Sequence, residues 1–295
     1  MEVQGERPAV SVGSIVYATD FSTCSENAGA YAKMLAGFFS ARLLVTHAFL
    51  LTQAAMEVEQ LKGKLSKQRE DLRVRLEQKA KELSSSSFEA EAVLLVGHPN
   101  EVIPALAEKR APALIVLGTH GAGRVEHELI GSAAEKILRS TPWPCLTVGP
   151  HTAPPSKDPP PFRRILYATD LNPSTARAAQ YALALAEQAG ASIDVLNVIP
   201  EVALEDPAGW EELRKQHQDD LRRLIPEQAN EFSSPHTFVE PGTAYERIMG
   251  HLEQDAIDLL VLGIRKTPFL SLEMRTSGAF RLIANAPCPV LTVMG

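Results

Sequence analysis

Residues 118–132 read Gly-Thr-His-Gly-Ala-Gly-Arg-Val-Glu-His-Glu-Leu-Ile-Gly-Ser, with glycines at 118, 121, 123 and 131 and a serine directly after the last. The stretch follows the apolar run Ala-Leu-Ile-Val-Leu, which reads as a buried strand, and leads into Ser-Ala-Ala-Glu-Lys-Ile-Leu-Arg-Ser, which reads as a helix. A glycine in such a loop accepts positive φ and lets a ligand approach the backbone where a Cβ would stand. A helix opening at Gly131-Ser132 offers free N–H groups and the positive end of its dipole to an anion. Ser132 is suited to cap that helix or to donate its hydroxyl to a phosphate oxygen. Strand, glycine-rich loop and serine-opened helix together are the parts of a phosphate cradle.

Other residues that could do chemistry are fewer. Asp20 ends an early strand, where a carboxylate either meets a ligand or caps the following helix. His47 reads as a packed strand histidine. His120 and His127 flank the loop without a cysteine or carboxylate spacing that would make a metal site. Arg124 reads as solvated loop surface, and Cys24 opens a helix where a lowered thiol pKa is expected.

The elements that must position these residues are written twice. Ser-Ile-Val-Tyr-Ala-Thr-Asp at 14–20 returns as Arg-Ile-Leu-Tyr-Ala-Thr-Asp at 164–170, and the segments around 111–120 and 141–149 return at 255–266 and 285–295. Three matched segments in one order mean two homologous halves. Between them, residues 149–162 hold six prolines, a composition that favours an extended polyproline connector with wide reach. The expected division is 11–150, a linker at 151–162, and 163–295. In each half strands alternate with helices, including a long amphipathic helix between Thr52 and Leu83 with Leu61, Leu65, Leu72, Leu76, Ala80 and Leu83 on one stripe. Five strands and four helices per half predict an open, doubly wound parallel α/β sheet, with ligands beyond the carboxyl ends of its strands.

Composition narrows the classes further. The 295 residues carry a formal charge of -7, against a standing nucleic-acid or anionic-membrane partner. No apolar run reaches transmembrane length, and the first residues lack the features of a secretory signal. Three widely spaced cysteines fit no disulfide framework, so a reducing cytoplasm is expected. Cys145 and Cys288 fall at equivalent positions of the two halves and read as structural.

Gly118-x-x-Gly121, nine residues, then Gly131-Ser132 resembles the ATP-binding signature of the universal stress protein family, and the resemblance extends over both halves. It implies a five-stranded parallel sheet in the order 3-2-1-4-5. It places Asp20 beside the adenosine, the backbone of Ala48 at the adenine edge, and Leu117 and Gly118 against the ribose. Gly121, Gly131, Ser132 and Ala133 would wrap the phosphates of ATP, with or without Mg2+. Single-domain members of the family commonly pair through their last strands. A tandem chain is therefore expected to form an intramolecular pseudo-dimer, which leaves a further homodimer open.

The second half keeps Asp170 and Gly263, but Lys266 and Thr276-Ser277 stand where Gly121 and Gly131-Ser132 do. Lysine resists positive φ, and its side chain fills phosphate space. One nucleotide per chain is therefore expected, although Arg265 and Lys266 could meet another anion. Three functions stay open: an ATP-binding stress-response regulator acting on an unknown protein partner, a slow ATPase or phosphotransferase, and a ligand-free scaffold. Against turnover, the chain has no Walker A lysine, no kinase signature set and no evident general base near the loop. At most it would be a slow ATPase.

Overall fold

The computed structural model describes residues 10–50, 59–121, 130–156, 160–200, 207–226, 229, 235–265 and 278–295. The chain forms two compact units, one built on Val12–Ser156 with Ser271–Pro289 and the other on Lys157–Leu270 with Val290–Gly295. The first contains β1 (Ser14–Ala18), α1 (Thr23–Phe39), β2 (Arg42–Phe49), α2 (Glu59–Leu83), β3 (Ala90–Val96), α3 (Pro99–Lys109), β4 (Ala113–Gly118), α4 (Ser132–Ser140) and β5 (Cys145–Val148). Its five strands lie in the order β3-β2-β1-β4-β5, and the pairs are parallel. The central strand β1 reads Ser-Ile-Val-Tyr-Ala and is buried along almost its whole length, as a strand covered on both faces must be. Register pairs Ala18 with Thr46 on one side and with Leu117 on the other, so Asp20, Ala48 and Gly118 end at one edge of the sheet.

Helix α1 starts at an N-cap, Ser22, whose hydroxyl accepts from Ser25 N–H at 3.3 Å, and it stops at Ser40 in the left-handed region. On α2, Leu76 and Ala80 are buried and Leu72 is half-buried, while Arg73 pairs with Glu70 and Glu77 on the solvent side. This is the predicted amphipathic stripe; the side chain of Leu61 and the helix start expected from Thr52 lie outside what the structure describes. The same unit includes α8 (Gly278–Asn285), whose Phe280 ring lies 4.8 Å beneath the Arg139 guanidinium at the end of α4.

The second unit repeats the pattern with β6 (Arg164–Ala168), α5 (Ala176–Ala189), β7 (Ser192–Ile199), α6 (Pro207–Leu224), β8 (His236–Pro241), α7 (Ala244–Gln254), β9 (Leu259–Ile264) and β10 (Val290–Met294). Its strands run β8-β7-β6-β9-β10, again in parallel pairs. Each sheet thus has the 3-2-1-4-5 order that the resemblance implies.

The start of the proline-rich connector forms no helix or strand over its described residues, and it is tied down: Asn27 Nδ2 donates to the Thr152 carbonyl at 2.8 Å and the Tyr31 hydroxyl to the Ala153 carbonyl at 2.9 Å. Gly149 N–H donates to the Thr152 hydroxyl, and Thr152 N–H returns to the Gly149 carbonyl. The strap is tied to α1 because its carbonyls, which proline leaves unpaired within the strap, find side-chain donors on the helix.

Candidate functional site

At the carboxyl edge of the first sheet lies a cavity of about 240 Å³. All eight residues singled out from the sequence line it: Asp20, Ala48, Leu117, Gly118, Gly121, Gly131, Ser132 and Ala133. They come from the turn after β1, from β2, from the end of β4 and the loop after it, and from the start of α4. Ser25 near the start of α1 and Pro99 at the start of α3 join them, so three helix N-termini meet at one space. Helix α4 brings N–H groups without an intrahelical partner and a partial positive charge. At α1 the Ser25 N–H is taken by the Ser22 hydroxyl, and Pro99 of α3 has no N–H, so those two helices contribute chiefly the positive ends of their dipoles. Among the described lining residues there is no Lys or Arg, so attraction for an anion there rests on the backbone. The one carboxylate is Asp20.

One of the two uses expected of the loop glycines, positive φ, is not found at Gly118, Gly121 or Gly131. Among the described residues, glycines with positive φ are Gly97, Gly190 and Gly242, none of them in the loop. The need at the loop is steric. A Cβ on Gly118 would stand 2.8 Å from Ser25 N and 2.9 Å from the Cys24 carbonyl carbon, inside the first turn of α1. On Gly121 it would meet Asp20 Oδ2 at 2.6 Å, and on Gly131 the Thr119 carbonyl oxygen at 3.1 Å. Gly131 is itself the N-cap of α4, with extended backbone (φ -61°, ψ 144°), and its N–H donates to the Thr119 carbonyl at 2.7 Å. Ser132 is therefore the first helical residue and not the cap.

Asp20 is not the cap of α1 either, since Ser22 holds that place. Asp20 Oδ1 accepts from Ser22 N–H at 3.0 Å, and Phe21 N–H donates to the Thr19 hydroxyl at 2.9 Å. These bonds hold Phe21 in the left-handed region at φ 62°. The turn leaves Asp20 Oδ2 beside Gly121. The Ser22 hydroxyl donates to the His120 carbonyl at 3.2 Å, tying this turn to the glycine loop.

His47 is packed in its strand as read, with Nδ1 2.8 Å from the Thr19 carbonyl, and it also lines the cavity. His120 Nδ1 lies 2.8 Å from the Thr119 hydroxyl. No group of three His, Cys, Asp or Glu that could hold a metal occurs among the described residues. The expectation for Cys24 is reversed: burial pushes its thiol up, outweighing the His120 backbone hydrogen bond. Cys145 and Cys288 are buried, and burial raises the Cys145 thiol strongly. Arg124 and His127 lie outside the described residues.

Sequence reasoning missed Thr19, Ser25, Pro99, Ile103 and Ile137 as lining residues. Ile103 and Ile137 carry only the signal of an amphipathic helix, which does not say what they face.

In the second unit the same turn recurs, with Leu171 at φ 57°, its N–H on the Thr169 hydroxyl, and Asn172 N–H on Asp170 Oδ1. Here Asp170 Oδ2 is paired with Arg265 at 3.0 Å, so this arginine is committed to a carboxylate. The Cβ that Gly263 lacks would run into the Thr175 side chain. Lys266, Thr276 and Ser277 lie outside the described residues.

Two open, doubly wound parallel α/β domains, one with a crevice at the carboxyl edge of its strands, define a tandem α/β protein of the doubly wound type. The sequence profile of the universal stress protein family matches residues 12–149 and again 161–294. The chain belongs to that family, as a tandem member. A universal stress protein of Thermus aquaticus is 36% identical over 140 residues, which span 46% of this chain and 97% of that protein. One of Methanocaldococcus jannaschii is 27% identical over 156 residues, spanning 48% of this chain and 96% of its own. The crystal structure of a universal stress protein from Archaeoglobus fulgidus superposes with a TM-score of 0.70 at 18% identity, over 97% of this chain and 99% of that one. No helix among the described residues is long and apolar enough to cross a membrane.

Proposed function

We propose that the first repeat binds an adenine nucleotide, ATP foremost, and that the protein is a cytoplasmic stress-response regulator whose nucleotide occupancy biases its choice of protein partner. The observation that carries this reading is the convergence of the eight motif residues and three helix N-termini on one cavity. The phosphates would lie at Gly131–Ala133, over the N-terminus of α4, with the sugar toward Asp20 and Leu117 and the base toward Ala48. Mg2+ would come as the nucleotide's own counter-ion. A cradle of backbone N–H groups suits holding a polyphosphate; transferring a phosphoryl group calls for a cation or an arginine at the site. The second repeat takes no nucleotide in this reading, since Lys266 and Thr276 stand where Gly121 and Gly131 do, and it serves as the first repeat's ligand-free partner within the chain.

Titration of the full chain with ATP, together with mass spectrometry of nucleotide released from denatured protein, tests this. One site per chain is expected, lost in Gly121→Lys and kept in Lys266→Gly. Two sites, no site, or the opposite pattern of loss would refute it, and recovered ADP alone would point to hydrolysis.

A further inference from the structure

Three side chains from three elements are stacked beside the cavity. The Arg75 guanidinium of α2 lies 4.0 Å over the centroid of the Phe21 ring. On Phe21's ring, in turn, lies His47, with centroids 5.2 Å apart and planes 34° from parallel. His47 is the layer that lines the cavity, next to Ala48.

The second repeat shows what this stack adds. At the position of His47 stands Asn197, whose Nδ2 donates to the Thr169 carbonyl at 2.9 Å. That matches the bond from His47 Nδ1 to the Thr19 carbonyl, which only accepts, so Nδ1 carries a proton. The hydrogen bond therefore needs an N–H donor but not a ring. At the position of Phe21 stands Leu171, in the same left-handed conformation, so the turn does not need an aromatic residue either. What the first repeat gains from phenylalanine and histidine is a flat, oriented ring surface, and it has this in the half that keeps the glycine loop.

We propose that the Arg75–Phe21–His47 stack is the base-side wall of the cavity: His47 presents its ring to the nucleobase, and Phe21 and Arg75 are positioning residues that hold that ring. The inference rests on the nucleotide reading of the site and goes beyond it, because it makes α2 part of the binding site and assigns the discrimination between a nucleotide and a bare polyphosphate. A ring already fixed by a hydrogen bond on its edge and a stack on its face loses little freedom when a base docks.

The test compares ATP with inorganic tripolyphosphate by calorimetric titration of the full chain. Phe21→Leu and His47→Asn install the residues that the second repeat carries in the same backbone setting, so folding is retained. A stacked base contributes on the order of 5- to 100-fold in affinity. Both variants are expected to lose most of the preference for ATP over tripolyphosphate, with tripolyphosphate affinity within about twofold of the original. Phe21→Tyr, which keeps the ring, restores the preference, and Arg75→Ala lowers it by about threefold, the scale of one exposed cation–π contact. An unchanged ATP-to-tripolyphosphate ratio in Phe21→Leu and His47→Asn overturns the proposal and leaves the stack as packing, as does an equal loss of both ligands. If the unaltered chain binds tripolyphosphate but not ATP, or neither, the nucleotide reading itself falls.

Discussion

Replacing Gly118 and Gly121 by alanine should separate two kinds of need for glycine within one loop. At position 118 the added methyl stands 2.8–2.9 Å from backbone atoms of Cys24 and Ser25. Ordinary contact is about 3.5 Å, so the end of β4 and the first turn of α1 must part by roughly 0.6 Å. Neither yields easily. β4 is buried in the sheet, and the α1 turn is held by the Tyr17 hydroxyl, which donates to the Ser25 carbonyl at 2.6 Å, and by the Thr19–Ser25 hydroxyl pair at 3.0 Å. Overpacking of this kind costs about 1–3 kcal/mol. At position 121 the obstacle is Asp20 Oδ2, the tip of an exposed side chain that can rotate away. Stability should then change by less than about 0.5 kcal/mol, while ATP affinity falls about tenfold as the displaced Asp20 carboxylate gives up one charged hydrogen bond to the sugar. Urea unfolding followed by Trp143 fluorescence in a Trp210→Phe background reports on the first repeat. With a slope of about 2 kcal/mol/M, the loss at 118 appears as a midpoint lower by about 1 M. A Gly118→Ala chain that unfolds at the original midpoint, or a Gly121→Ala chain that falls equally far, would refute this account.

Other expectations follow from buried charges and raised pKa values. Asp194 is almost fully buried and receives Arg164 Nε at 2.9 Å, so Arg164→Leu should cost about 3 kcal/mol in urea unfolding by leaving that carboxylate with only the exposed His236 ring, 3.3 Å away, beside it. The double change Arg164→Leu with Asp194→Leu should recover most of the loss; no recovery would count against the mechanism. Burial pushes the Tyr17 hydroxyl up to about 12. The unfolded chain loses that proton first, so the associated stability is whole below about pH 10 and disappears as pH rises to about 12, a change of about 3 kcal/mol. Tyr17→Phe should remove this part of the alkaline slope, and an unaltered slope would show that other groups carry it. With its thiol pushed up by burial, Cys24 should react with iodoacetamide at neutral pH more slowly than free glutathione. Faster labelling, located by peptide mass spectrometry, would contradict that environment.

The tandem repeat, the alternation of strand and helix, and the placing of the glycine loop at a strand end were legible in the sequence because each is a local signal. Burial on both faces makes strands such as β1 continuously apolar, and an amphipathic helix such as α2 shows its stripe every three to four residues. The set of eight motif residues came from the resemblance of the glycine loop to a family signature. What they touch did not. That Gly118 faces the backbone of α1, that Arg265 pairs with Asp170, and that Arg75 reaches the Phe21 ring beside His47 depends on how elements far apart in sequence pack. Six prolines signal an extended connector, but only the fold brings Asn27 and Tyr31 to its carbonyls. Composition and periodicity record which surfaces a segment must bury, whereas close approaches are set by the packed arrangement of several segments, and only the tertiary structure decides those.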